Sequence, residues 1–156
     1  MLEELSPRNG LMTESTPNPY RAPQTGEAKP QVSLEHNLPV WSWWLTPIQV
    51  ACTIRCDLVV ATDHILHFYK RLSPKGQIHQ TGTDQISVER GSIYGSLFGR
   101  ANAAIHRLNI QFAEQPDEQL RIEWNIGVKL FMGLVVADDP LIRECRKVAN
   151  ELHAAT

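Results

Sequence analysis

Downstream of residue 48, short runs of apolar residues alternate with polar ones and are cut at intervals by turn-forming residues, a rhythm that predicts strands. Residues 50–55 alternate in part and predict a first strand. Residues 58–61 and 65–70 are rich in β-branched and aromatic side chains. They flank Thr62-Asp63-His64, so the stretch predicts a hairpin. Ser73-Pro74-Lys75-Gly76 predicts a turn, because Pro74 presets φ and Gly76 tolerates a positive one. Residues 77–82 and 84–89 follow as the next two strands.

The clearest period of two spans residues 104–112. His106, Leu108, Ile110 and Phe112 point one way; Ile105, Arg107, Asn109 and Gln111 point the other. After a polar turn at 114–118, Leu120, Ile122 and Trp124 alternate with Arg121, Glu123 and Asn125. The two runs predict a hairpin with one wet and one dry face. Residues 126–136 contain Gly127 and Gly133 among valines and read as a buried strand rather than a helix.

A single helix closes the chain. Asp139 is a suitable N-cap and Pro140 a suitable first helical residue. Leu141, Cys145, Val148 and Leu152 recur at helical spacing, widened by Ile142 and Ala149. Arg143, Glu144, Arg146, Lys147 and Glu151 take the other side.

Residues 1–37 break this rhythm. Six of the ten prolines precede position 40, and apolar residues are sparse, so the segment reads as a Pro-rich disordered tail on a single domain at 38–156. Tyr20, between Pro19 and Pro23, leaves a docking role open beside that of a spacer. The formal charge of −2, from 15 basic and 17 acidic residues, argues against nucleic acid as a partner. Three cysteines without paired spacing argue for a reducing compartment. The acidic start Met1-Leu2-Glu3-Glu4 is unlike a secretory signal, and no apolar run reaches the roughly 18–20 residues of a membrane span. The expectation is a soluble, cytoplasmic protein, with peripheral membrane contact left open.

Val60-Ala61-Thr62-Asp63-His64-Ile65-Leu66-His67-Phe68-Tyr69-Lys70 resembles the opening hairpin of the bacterial pleckstrin-homology-like domains. Asp84-Gln85-Ile86-Ser87-Val88-Glu89 is similar to a later strand of theirs, and Gly95-Ser96-Leu97-Phe98-Gly99-Arg100-Ala101 to the turn after it. The resemblance covers residues 60–112 and the position of the final helix. The family's basic residue after the first turn is replaced here by His64 or Ile65. It implies an α+β fold: a curled antiparallel sheet or partial barrel of about seven strands, capped by one C-terminal helix. It also implies recognition rather than catalysis.

Candidate chemistry is thin. His64 and His67, three apart on a hairpin, would face opposite ways. His106 on an apolar face reads as a buried histidine with a backbone partner. Cys52 and Cys56 lack a second ligand pair for zinc. Asp63, Asp84, Asp138 and Asp139 have plain structural roles as turn, strand-start and cap residues. Gly91, Gly95 and Gly99 make a turn rather than a phosphate loop. No catalytic residue, metal or cofactor is expected. Two features suggest binding. Lys70, Arg71, Lys75, Arg90 and Arg100 would line a basic rim able to meet anions. Trp41, Trp43 and Trp44 either cap the core or form an interface. The expected partner is a protein, an anionic membrane surface or a second copy of the chain.

Overall fold

A computed structural model of the chain describes residues 31–42, 46–72, 76–92, 96, 101–129 and 131–156. In chain order the elements are β1 (Glu35–His36), β2 (Val40–Ser42), β3 (Ile48–Arg55), α1 (Leu58–Leu72), β4 (Gln77–Gln80), β5 (Gln85–Arg90), β6 (His106–Gln115), β7 (Gln119–Val128), β8 (Gly133–Val135) and α2 (Pro140–Ala155). Six strands form one antiparallel sheet in the order β1-β3-β7-β6-β5-β4. A separate ribbon pairs β2 with β8. The class is α+β, with an open sheet rather than a closed barrel.

The alternating pattern sets the register. Val50 lies opposite Trp124, Trp124 opposite Ile110, and Ile110 opposite Ile86, an apolar row across four strands. The parallel row of polar residues runs Gln49, Asn125, Asn109, Ser87 and His79 on the other face. Slipping one strand by one residue would exchange the two faces, so burial pins the pairing. The predicted second hairpin is present as β6 and β7, joined through Asp117 and Glu118, both at positive φ (64° and 57°).

The predicted hairpin over 58–70 is not formed: these residues make α1. Ala61, Thr62, Ile65, Phe68 and Tyr69 are buried along one stripe, the spacing of a helix face. Asp57 starts the helix, its Oδ1 accepting the Val59 N–H at 2.8 Å. Thr62 donates its hydroxyl to the Leu58 carbonyl at 2.7 Å, satisfied inside the helix rather than in a turn. The sheet is therefore covered by two helices among the described residues, not one. The connection from β3 to the far edge strand β4 runs through α1.

The strands expected within 50–55, 77–82, 84–89, 104–112 and 120–125 stand, as does the closing helix, while residues 73–75 of the expected turn lie outside the described residues. Asp139 caps α2 by accepting from Leu141 N at 2.8 Å, and Pro140 opens it. Leu141, Ile142, Cys145, Val148, Ala149 and Leu152 are all fully buried. The 126–136 stretch divides between the end of β7 and β8. Val32, Leu34 and β1 already belong to the folded body, which thus begins ahead of position 38. No helix among the described residues is long and apolar enough to cross a membrane.

Gly91 closes the end of β5. Its φ is +107°, and a Cβ there would stand 2.0 Å from the Ala104 carbonyl oxygen. Of the three glycines read as turn formers, Gly95 and Gly99 lie outside the described residues.

Candidate interaction surface

Arg90 does not stand on a rim. It continues the alternation of Ile86 and Val88 and so points under the helices. Its guanidinium bonds Glu144 of α2, donates from Nε to His106 Nε2 at 3.0 Å, and lies 5.6 Å from the Tyr69 ring centroid. His106 gives its Nδ1–H to the Ala104 carbonyl at 2.7 Å, so its neutral form carries the proton on Nδ1. Burial lowers the imidazole to about 4; the Ala104 contact works against that shift and the Arg90 charge with it. Burial also raises the Glu144 carboxyl, partly offset by Arg90, and pushes the Tyr69 phenol well up. Arg90 and Glu144 side chains are only 8% and 10% exposed. A closed cluster of this kind ties β5, β6, α1 and α2 together; it presents nothing to a ligand. The expected buried histidine with a backbone partner is His106.

The rest of the proposed basic rim is not assembled with it. Lys70 and Arg71 sit exposed in the last turn of α1, where cations complement the helix dipole. Lys75 and Arg100 lie outside the described residues.

Of the tryptophans, Trp43 and Trp44 also lie outside the described residues, while Trp41 is in β2. The core position went to Trp124 instead, which is fully buried. Trp41 stands directly opposite Leu134 across the β2–β8 ribbon. The alternate pair Val40 and Val135 faces the core, so Trp41 and Leu134 face out. They are 68% and 50% exposed, and neighbouring Met132 is 77% exposed. Phe131 packs against the core on the inner side of the ribbon, over Gly133, where an added Cβ would meet the ring at 2.6 Å. Leu134 and Met132 were missed by the sequence reading. The signal for them was the alternation through Gly133, Leu134 and Val135, which leaves one residue of each pair outside.

No known family, no curated protein and no solved structure matches this chain.

The polar face of the main sheet is dominated by internal pairs. Arg121 bonds Glu35 at 2.9 Å and Glu123 at 2.7 Å, and Arg107 bonds Glu89 at 2.7 Å. Ser87 donates to Asn109 Oδ1 at 3.0 Å. A shallow groove of about 340 Å³ lies between Glu35, Gln49 and Arg121 on this side. His106 and Glu123, one of the pairings that would have suggested a catalytic cleft, occupy opposite faces. His67 meets Asp63 at 3.5 Å on the exposed side of α1. Among the described residues no three His, Cys, Asp or Glu side chains converge as metal ligands would. The cysteines are free: Cys52 and Cys145 are buried, and burial moves the Cys52 thiol up to about 12. Burial likewise raises half-buried Cys56, with Asp57 adding to it.

Proposed function

We propose that this chain is a non-catalytic recognition domain that docks a partner protein through the outer face of the β2–β8 ribbon. The observation that carries this reading is the exposed Trp41–Leu134 cross-strand pair with Met132 beside it. Tryptophan and methionine are enriched at protein interfaces, and a tryptophan anchored on a paired strand loses little side-chain freedom on binding. The resemblance to bacterial pleckstrin-homology-like domains adds to the reading; it rests now on residues 84–89 and the closing helix α2, and no longer on residues 60–70. The lipid alternative is weakened because Arg90, one of its proposed cations, is bound to Glu144 inside the molecule. Free cysteines fit a reducing compartment such as the cytoplasm.

The test compares the full chain with Trp41→Ala and Leu134→Ser as baits in extract of the source cell. Both side chains are largely in solvent, so both variants should keep the wild-type circular dichroism and melting temperature. A specific partner should be retained by the wild type and weakened about 10–100-fold by each variant. Equal capture by all three would overturn the assignment. So would sedimentation with anionic vesicles that depends on Trp41, or self-association in the ultracentrifuge that the variants abolish.

A further inference from the structure

Among the described residues, the outer edge of strand β3 is only partly covered. The Gln49 N–H and carbonyl both face that edge: the carbonyl accepts from Asn37 N at 3.3 Å, and the N–H donates to Asn37 Oδ1 at 3.0 Å. Because backbone groups alternate sides along a strand, Ala51, Thr53 and Arg55 face the same way. Ala51 is paired with Glu35 of β1, and there the pairing ends. The chain preceding β1 leaves the sheet: the Val32 N–H goes to Asn150 Oδ1 of α2 at 2.9 Å. The outward N–H and C=O groups of Thr53 and Arg55 have no partner among the described residues. Between them and residues 31–33 lies a groove of about 570 Å³.

That groove continues around Arg55 into a second one of about 680 Å³; Arg55, Gln119 and Thr156 line both. The second groove has an apolar side in Leu58, Val60 and Leu120, and carries Asp57, Glu114 and Glu118. Glu114 and Glu118 have no ion-pair partner among the described residues. Three carboxylates against the single guanidinium of Arg55 leave this end negative.

We infer that the open edge of β3 is a second binding site, which accepts an extended segment of a partner protein as an added strand at Thr53–Arg55. The segment carries an apolar residue followed by a Lys or Arg, which enter the groove beside Leu120 and Glu118. Main-chain hydrogen bonds supply the affinity and the two grooves the selectivity, the general logic of strand addition. The free edge also explains itself on this view, since an unpaired edge is otherwise a liability. This site is separate from the Trp41 ribbon and stands whether or not the ribbon binds anything.

The test uses the full chain and a blocked synthetic peptide, Thr-Val-Thr-Val-Lys. Its two controls are a twin with alternate backbone nitrogens methylated and an analogue with Glu for Lys. The readout is amide hydrogen exchange of Thr53 and Arg55 by NMR. Saturating peptide should slow exchange at these two amides about tenfold, and both controls should slow it less. Thr53→Pro, tolerated at an unpaired edge position, should abolish the effect. Glu114→Lys with Glu118→Lys, which leaves the strand untouched, should weaken it as well; Trp41→Ala should not. Absence of protection, or equal protection by the methylated twin, would overturn the proposal. Amides already protected in the free chain would overturn it in favour of an internal occupant. Protection that rises with protein concentration alone would do so in favour of a second copy.

Discussion

His106 shows how much a single side chain can govern. It is fully buried between Ala104 and Arg90 and is held neutral, with its imidazole lowered from 6.5 to about 4. A group that is harder to protonate in the folded chain than in the unfolded one stabilises the fold above its unfolded pKa. That contribution fades as pH falls from 6.5 towards 4, because the unfolded chain takes up the proton first. The loss is on the order of 3 kcal/mol over this window. Glu144, whose carboxyl burial raises, runs the other way and offsets part of the loss at the acid end. Urea denaturation at a series of pH values should show stability dropping between pH 6.5 and 4. His106→Asn keeps a donor for the Ala104 carbonyl and carries no titrating group, and should flatten that slope; an unchanged slope would disprove the role. Glu144→Ala would leave the Arg90 guanidinium buried and unpaired, and should cost about 3–5 kcal/mol.

Elements differ in how openly the chain declares them. Strands β5, β6 and β7 and helix α2 are legible because periodicity, turn residues and caps agree in each. Helix α1 is the exception, since two signals conflict there. Val59, Val60, Ile65, Phe68 and Tyr69 favour strand by composition, and Thr62-Asp63-His64 imitates a turn. Against them, Asp57 is a cap, and Leu58, Ala61, Thr62, Ile65, Phe68 and Tyr69 recur at three and four, which is a helix face. Burial of that face outweighed local propensity, as tertiary packing commonly does. Among the candidate binding residues, the inward turn of Arg90 was readable from Ile86 and Val88, four and two positions earlier. The outward position of Trp41 was not, because it depends on pairing with β8, ninety-odd residues away. The helix assignment has its own test. Asp57→Ala and Asp139→Ala should each lower stability by about 1 kcal/mol through loss of an N-cap. If residues 58–72 were a hairpin, the first substitution would leave the melting temperature unchanged.

At the scale of the molecule, one sheet face is roofed by helices and the other stays polar. β7 is held on both sides, by β3 and β6, and every strand of the buried rows depends on it. The ribbon of β2 and β8 stands apart as only three residue pairs. Opening should therefore be uneven: amides of β2 and β8 should exchange at least about tenfold faster than those of Trp124 and Ile122 in β7. Uniform protection measured by hydrogen–deuterium exchange would contradict this division. The polar face carries a further implication. Two of its arginines are already engaged by carboxylates, Arg121 by Glu35 of β1 and by Glu123 of its own strand, Arg107 by Glu89 on the adjacent strand. So little field escapes from that broad plane that a charged macromolecule drifting past feels scant pull towards it. Encounters are left to be steered by the molecule's perimeter, where the apolar knob and the bare strand margin lie.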